Sequence, residues 1–591
     1  MKRAGFRARV ANPDATTMRQ WSVIRGKAWV PVLAGAVLVL AFDAQTRIHH
    51  HHDVSDTPGM MVAPPEEDPA SPTGYAFGQR QLVLPRRGTD GYHWIMQAQQ
   101  MFADGDWRPR RVRYDNAPDG RELHWSMPYR LWLASLAAAD SALTGRSAGL
   151  AVERAALVAN PVMLAMVLLV LVPLTARALG GASAAVLALA AAGSPAVQGL
   201  FDAGAVDHHG LAAACALGCV SCLLFGIRPP PEPGSEAVMD SRVRRWFIAS
   251  AFCGAAGMWV STVTLVPVLA GLGGGALLAH GVQRRAPAVP VLSPELWRIW
   301  GATGAITCLV MFLAEYFPSH MGWRLEVNHP LHALAWFCAG ELLCRGGRRL
   351  AGAGAGRRSL RESLAIPGGL AGVMLIPILV WTTGGRTFRV ADPFLWSLHH
   401  HYIAEFQGAF HFLARDPVDF ATAARWLPWL VLPVAIIALW RQSGTPLLRC
   451  RLAVALVPAL VFALLALGQM RWFGTAGMLA LAVAATLVSD RTWLPVRWRP
   501  RVAWMMALPF LPGIISILAS APTERGFSDA EVRHLAERDA AHWLRRRAGS
   551  DPLVFASGPG STTRLFFFGG GRGLGTFFWE NLPGLRRSAL L

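Results

Sequence analysis

Residues 452–467 read LAVALVPALVFALLAL, an unbroken apolar run with Arg449 and Arg451 before it and Arg471 shortly after it. Similar runs occur at 162–174, 184–192 and 211–227. A bilayer span needs about 20 mostly apolar residues, and flanking Gly, Ala and Trp extend the shorter runs to that length. Because lipid requires every backbone polar group to be paired internally, the sequence predicts an all-α polytopic membrane protein.

The bulk composition supports this prediction. Of the 591 residues 53% are hydrophobic and 16% are charged, and the mean hydropathy is +0.34; soluble proteins carry about 25% charged residues. The net charge of +19 comes from arginines in short loops between apolar runs, which is the pattern that orients a membrane protein. We therefore expect the lipid bilayer, and no nucleic acid, as a partner. The eight cysteines lie in or beside apolar runs and predict neither a zinc ribbon nor a disulfide framework.

Alternating the chain across the membrane places the arginine-rich loops on one side. The basic N-terminus, 1–27, is predicted to be cytoplasmic, and 28–520 a multi-pass domain with a large first outer loop at 43–149. Thirteen spans are predicted, beginning near residues 28, 150, 182, 210, 246, 263, 299, 331, 363, 426, 452, 471 and 502. This trace predicts a multi-pass protein of the plasma (inner) membrane, with its outer loops on the extracytoplasmic face.

The last segment, 521–591, is predicted to be a small extracytoplasmic α/β tail. Ser528–Arg547 has the apolar spacing of an amphipathic helix. Asp551–Ser557 and Thr563–Phe568 are predicted to be strands.

Three outer segments carry acidic and histidine residues: Asp90 in TDGYHW, Asp207 and His209 in AVDHH, and Glu326 in RLEVN. In an extended segment the side chains of Asp207 and His209 point the same way, so both can reach one cation. Asp90 and Glu326 would complete the set from other loops. A carboxylate-rich set suits Mg²⁺, and an imidazole shifts the preference toward Mn²⁺.

Each motif also has a structural interpretation. The Asp207 segment can cap a helix, Asp90-Gly91 can form a turn, and Glu326 can pair with Arg324. The occurrence of all three on one predicted face favours a site. Ionisable groups at a membrane boundary are costly unless they are paired or solvated, which makes them functional candidates.

A second group of residues suits an anion. Arg471 stands at the outer start of a span, and Arg386 shares an outer loop with His399 and His400. A guanidinium binds phosphate oxygens in bidentate fashion. The alternative for Arg471 is that it reaches the interface by snorkelling.

These motifs resemble those of the oligosaccharyltransferase catalytic subunits, within the glycosyltransferase C superfamily. Asp90-Gly91-Tyr92 resembles their first acidic motif, Gly204–His209 their second, and Leu325–Asn328 their external-loop glutamate motif. Arg471 is similar to an arginine at the outer end of a late span, and thirteen is also that family's span count. The resemblance implies a polyprenyl-phosphate or diphosphate sugar donor, a protein or glycan acceptor, and an inverting transfer.

The resemblance also implies residue roles. The metal ligands would be Asp90, Asp207 and His209. The acceptor nucleophile would be engaged by Asp90 and Glu326. The donor phosphates would be faced by Arg471, His208, His399 and His400.

One family motif has no counterpart in this sequence. The Trp-Trp-Asp-x-Gly motif, which reads the acceptor residue in that family, is absent, and the nearest text is Phe577–Asn581. The acceptor therefore stays open between a protein side chain, a lipid and a glycan. The alternative function is a transporter or lipid-linked glycan flippase with an Asp/His proton relay. Because the candidate charges fall in loops or at span ends, the enzyme is favoured.

Overall fold

The computed structural model describes residues 27–84, 89–228, 241–285, 291–350, 360–384, 392–415, 424–441, 444–519 and 526–591. Within these ranges nine helices are long and apolar enough to cross a membrane, or ten if one bent pair forms a single span. The nine are Trp29–Ser55, Ala148–Leu179, His209–Gly226, Thr262–Arg284, Leu296–Tyr316, Leu364–Thr382, Pro446–Gly468, Met470–Ser489 and Val496–Ala519. The predicted all-α membrane architecture is confirmed.

The remaining predicted spans also fall on helices. The bent pair is Gly181–Gly193 and Pro195–Phe201, with 68° between them. Pro195 lacks the backbone N–H that would continue the helix, which explains the break. The others are Ser241–Val260, Pro330–Leu350 and the shorter apolar helix Ala424–Trp440. The count of thirteen spans stays a prediction.

Close helix contacts in the bundle use small residues. A Cβ on Gly301 would lie 2.7 Å from the Cα of Gly340, so the helices Leu296–Tyr316 and Pro330–Leu350 touch backbone to backbone. Membrane helices associate through such small-residue contacts because lipid supplies no hydrophobic force between them.

One end of the bundle carries a segment that belongs to the predicted first outer loop, 43–149. It contains the helices Asp90–Asp104 and Pro128–Thr144. Between them, the strands Arg111–Val112 and Arg121–Glu122 pair antiparallel. We call this segment, 89–147, the outer loop.

The C-terminal tail, 526–591, lies against the outer loop. Its first helix, Asp529–Ala548, confirms the predicted helix and begins with a capping box between Ser528 and Glu531. The helices Pro559–Gly569 and Leu582–Ser588 follow, and the strands Val554–Phe555 and Arg572–Gly573 pair in parallel.

The prediction of a strand at Thr563–Phe568 is wrong, because these residues lie inside the helix Pro559–Gly569. Pro559 occupies the first helical turn, where its missing N–H costs nothing. Gly570, at φ +62°, ends the helix in the left-handed conformation. These two residues bound a helix whose aromatic content is typical of a strand.

The first helix of the tail is held by hydrogen bonds to the chain before the outer loop. Nδ1 of His534 donates to the carbonyl of Leu84 (3.2 Å), and Nε2 of His542 donates to that of Arg80 (3.0 Å). Arg538 donates to the carbonyl of Ser55 at the end of the first span. The tail therefore packs on the same end of the bundle as the outer loop.

Candidate functional site

Asp207, His208 and His209 form an acidic–histidine cluster where the bent pair of helices leads into His209–Gly226. Oδ1 of Asp207 lies 2.7 Å from Nδ1 of His208, and Oδ2 lies 3.6 Å from Nε2 of His209. One donor atom from each residue lies within 4.8 Å of the others. This spacing fits three ligands around one cation, and a carboxylate with two imidazoles is a donor set that suits Mn²⁺ or Zn²⁺.

The backbone before the cluster is fixed by Asn160, a buried residue of the span Ala148–Leu179. Its Nδ2 donates to the carbonyl of Leu200 (3.1 Å) and to that of Ala205. The hydroxyl of Tyr129 donates to Oδ1 of Asn160 (2.9 Å). Because these contacts are buried, they hold the loop that presents the cluster in one conformation.

Asp90 lies beside the cluster because Gly91 packs on Val206. A Cβ on Gly91 would lie 3.4 Å from Cβ of Val206 and 2.7 Å from Cδ1 of Leu84. This packing places the start of the helix Asp90–Asp104 next to Asp207. The structure thus brings the first two sequence motifs together.

The pKa of Asp90 also indicates that Asp90 and Asp207 belong to one site. Burial raises the pKa of Asp90 well above its ordinary value, and the negative charges of Asp207 and Glu405 raise it further. Arg471 and Arg121 oppose this shift. Crowded carboxylates in a partly desolvated site are typical of functional positions, and a bound cation would relieve the repulsion.

The pKa of Asp207 is shifted in the opposite direction. Burial opposes its ionisation, but His209 and then His208 outweigh that cost and hold the pKa of Asp207 below its ordinary value. Its carboxylate is therefore ionised at neutral pH and offers its oxygens to a cation.

Arg471 and Glu405 come from two further segments and act electrostatically on Asp90. The Arg471 guanidinium lies 5.0 Å from the ring centroid of Phe406 and 4.9 Å from that of Trp472. The backbone N–H of Met470 donates to the carbonyl of Gln407 (2.9 Å), which ties the two segments together. The positive charge of Arg471 lowers the pKa of Asp90, and the predicted contact of Arg471 with a donor phosphate stays a prediction.

Glu405 is a candidate site residue that sequence reasoning missed. It lies in the turn Ala404–Phe406, after the helix Pro393–Tyr402 that carries the predicted histidines. The available signal was an acidic residue in a histidine-rich outer loop. Only the packing of that loop against Arg471 shows that Glu405 acts on Asp90.

His208 is oriented by aromatic rings of the outer loop. Its ring centroid lies 5.6 Å from that of Trp94 and 5.4 Å from that of Trp125, and the two indoles stack at 4.5 Å. The structure places His208 with Asp207 among the possible cation ligands. Its contact with a donor phosphate stays a prediction.

His399 and His400 differ in their surroundings. Nδ1 of His399 donates to the carbonyl of Leu395 (2.8 Å), and its Nε2 accepts from the indole N–H of Trp579 (2.8 Å). Burial lowers the pKa of His399, so the ring is neutral and both nitrogens are engaged. His400 is exposed beside Trp396. Their predicted phosphate contacts stay predictions, and Arg386 lies outside the described residues.

Glu326 is buried in the loop between the helices Leu296–Tyr316 and Pro330–Leu350. Its neighbours Val327 and Asn328 line a cavity of about 410 Å³. Asn328 fixes this loop, because its Nδ2 donates to the carbonyl of Cys308 (2.9 Å). The approach of Glu326 to Asp90 and Asp207 stays a prediction.

Comparison with known proteins identifies solved structures that share this fold. No protein-family model matches the sequence, and no curated protein matches it. Solved structures of an oligosaccharyltransferase from Archaeoglobus fulgidus do match. The structure of this enzyme, AglB, with an inhibitory peptide and a dolichol-phosphate has a TM-score of 0.61 and 12% identity over 94% of this chain.

The structure tethered to an acceptor peptide containing the NVT sequon also has a TM-score of 0.61, with 14% identity over 94% of this chain. A complex with Zn and sulfate has a TM-score of 0.55 and 12% identity over 92% of this chain. This chain spans 65% of the length of the first two chains and 62% of the third. Over nearly all of its own length, the chain has the fold of an archaeal oligosaccharyltransferase.

Proposed function

We propose that this protein is a membrane glycosyltransferase. It takes a sugar or oligosaccharide from a polyprenyl-phosphate or diphosphate donor and transfers it to a protein or glycan acceptor. The reaction takes place on the extracytoplasmic face of the plasma membrane, with inversion at the sugar and with Mn²⁺ or Mg²⁺ as the cofactor.

One observation carries this proposal. The acidic–histidine cluster, Asp90, Glu405 and Arg471 come from separate segments and act electrostatically on one another at one end of the bundle. The combination of carboxylates, imidazoles and a guanidinium is what the transfer of a phosphate-linked sugar needs. It occurs on a fold shared with an oligosaccharyltransferase.

The residues have distinct roles in the proposed reaction. Asp207 and His209 would hold the cation, with His208 within reach of the same ion. Asp90 would be the further ligand that the family resemblance implies. A bound cation offsets negative charge on the departing phosphate. Arg471 binds phosphate oxygens from the other side of the group.

The acceptor nucleophile is engaged by Asp90 and an outer-loop glutamate. Glu326 is the candidate from the sequence, and Glu405 is the candidate from the electrostatics of Asp90. A nucleophile held against these carboxylates attacks the sugar opposite the leaving phosphate, which inverts the anomeric centre. Positioning and electrostatic stabilisation are the main contributions of the protein.

The solved relatives support the choice of substrates. The archaeal enzyme has been seen with a dolichol-phosphate and with peptides, one of which contains an NVT sequon. We extend this to a lipid-linked donor for the present chain, and to a peptide as the first acceptor to test.

The test incubates the purified protein in nanodiscs with a fluorescent polyprenyl-diphosphate glycan and a peptide containing Asn-Val-Thr. We expect transfer in Mn²⁺ and its loss in EDTA. Asp207→Ala is expected to abolish transfer without altering insertion or elution volume. Asp202→Ala is the matched control, because Asp202 lies in the same loop but faces Arg47 (3.9 Å). Full activity in Asp207→Ala overturns the proposal.

A further inference from the structure

A cavity of about 410 Å³ lies between the outer loop and the loop at 317–328. It is separate from the acidic–histidine cluster, since none of the three cluster residues lines it. The volume falls within the range of about 300–1,000 Å³ that is usual for small-ligand sites. We call it the outer cavity.

The two permanent charges on its wall cancel each other. Glu122 and Arg324 both line the cavity and form an ion pair. The pair leaves no net charge on this wall to attract an anionic or a cationic ligand. The cavity is therefore suited to an uncharged ligand.

The other polar side chains on the wall can each form hydrogen bonds with hydroxyl groups. They include His320, which has ring nitrogens, and Tyr316. Nδ1 of His124, which also lines the cavity, is paired with Glu580. Tyr316 is only 7% exposed, and its hydroxyl has no hydrogen-bond partner in the part of the chain that the structure describes. A buried hydroxyl left in this state is costly, which points to a ligand as its partner.

Aromatic surface accompanies these polar groups. Phe312 and Tyr316 both line the cavity, with ring centroids 5.4 Å apart. A ligand that suits this wall combines C–H faces, which pack on rings, with hydroxyls, which hydrogen-bond to side chains. Sugar rings have this combination without a net charge.

We propose that the outer cavity binds the glycan portion of a substrate, as one or two sugar rings. In naming a substrate the proposal rests on the proposed function. The position of the cavity agrees with this, because the wall residue His124 stacks on Trp579 (6.1 Å, 17°). Trp579 in turn donates to His399, in the helix that leads to Glu405. The glycan would lie beside the transfer site without occupying the cation site.

The test measures saccharide binding directly. Saturation-transfer difference NMR is recorded on the full chain in nanodiscs with a mixture of mono- and disaccharides of glucose, galactose, mannose, N-acetylglucosamine and N-acetylgalactosamine. We expect saturation of at least one sugar. Tyr316→Phe removes only the hydroxyl, and we expect it to weaken binding by about 2–10-fold, as for the loss of one neutral hydrogen bond.

A filling variant and its control make the test specific to the cavity. Gly322 lines the cavity and has open space around a Cβ, so Gly322→Trp is expected to fill the cavity and abolish binding. Gly526→Trp places the same side chain in open space at the start of the tail and is expected to bind like the parent protein. Absence of saturation by every sugar, or equal binding in Gly322→Trp, overturns the proposal. Displacement of the sugars by the Asn-Val-Thr peptide also overturns it, in favour of a peptide site.

A further variant separates this proposal from the proposed function. Asp207→Ala is expected to lose transfer and to keep saccharide binding, because Asp207 does not line the cavity. If the parent protein binds sugars but transfers none, the cavity proposal stands and the transferase proposal fails. If the parent protein transfers a glycan but binds no sugar in the outer cavity, the transferase proposal stands and the cavity proposal fails.

Discussion

Two charged groups at the same end of the molecule are built in opposite ways. In the acidic–histidine cluster and its surroundings, Asp207 lies near a second carboxylate, Asp90, whose pKa is raised well above its ordinary value by burial and by neighbouring negative charge. In the second group, Asp115 accepts hydrogen bonds from Arg121 (2.6 Å), Thr576 (2.7 Å) and Asn581 (2.6 Å). We call the second group the buried network.

The buried network joins the outer loop to the tail. Arg121 also lies 3.7 Å from Oε2 of Glu580, and its guanidinium lies 4.2 Å from the ring centroid of Phe578. Burial raises the pKa of Asp115, while Arg121 is the strongest influence that opposes the shift. Every charge here has a partner of opposite sign.

The difference separates two uses of buried charge. A paired and hydrogen-bonded group holds elements together, and it becomes costly only when one partner is removed. A crowded group of like charge is destabilising as it stands and is retained where chemistry needs it. Substitutions in the buried network should therefore reduce stability, and those in the cluster should reduce activity.

The largest expected effect is that of Arg121→Met. It leaves Asp115 and Glu580 buried without their cation, and we expect a loss of about 3–5 kcal/mol in the free energy that holds the tail on the outer loop. Hydrogen exchange of the tail amides measures that free energy. Arg572→Met changes an exposed arginine of the tail and should stay within about 0.5 kcal/mol of the parent. A loss below about 1 kcal/mol in Arg121→Met would show that the network is not structural.

Asp90→Asn tests the other side of the comparison. We expect transfer to fall about 10²–10³-fold, in the range seen when one electrostatic group of an active site is lost. Stability should stay equal or rise, because a carboxyl with a raised folded pKa is destabilising in its charged form and Asn removes that charge. Transfer assays and amide exchange on the same samples measure both effects. Asp104→Asn, at the exposed far end of the same helix, should change neither.

The docking of the tail should weaken at low pH. Burial lowers the pKa of His534 and of His542 to about 4, while the unfolded value is about 6.5. The two rings are neutral in the fold, so their contribution is complete above about pH 6.5 and is lost as the pH falls toward 4. Between pH 7 and pH 5 we expect a loss of about 2 kcal/mol for each histidine.

Hydrogen exchange of the helix Asp529–Ala548, corrected for the intrinsic effect of pH, measures this loss. In His542→Gln an amide can still donate to the carbonyl of Arg80 but cannot be protonated. This variant should lose about half of the pH dependence. The same pH dependence in the variant and the parent would show that protonation of His542 does not weaken the docking of the tail.

Much of the fold could be predicted from the sequence, because lipid fixes both the length and the helical conformation of the apolar runs. The cluster could be predicted because Asp207 and His209 are near neighbours along the chain. The extended conformation given as the reason was wrong, because His208, between them, is in the αR conformation at the start of the helix His209–Gly226. Glu405 could not, because its approach to Asp90 depends on how a distant loop packs on Arg471. The strand predicted at Thr563–Phe568 was wrong because Pro559 and Gly570 bound a helix over these residues.

The smallest expected effect is the difference between Glu405→Gln and Glu326→Gln. It tests which of the two glutamates acts together with the cluster. The negative charge of Glu405 raises the pKa of Asp90, so its removal tests whether Glu405 takes part in the transfer site. We expect Glu405→Gln to lower transfer by at least about tenfold, as for the loss of one charge-assisted hydrogen bond. Glu326→Gln keeps the shape of the loop beside the outer cavity, and we expect a smaller loss. Measured kcat and KM for both variants decide which glutamate contributes more to transfer. A larger fall in Glu326→Gln would move the second catalytic carboxylate to the loop that the sequence motif indicated, and the cluster would then extend to the wall of the outer cavity.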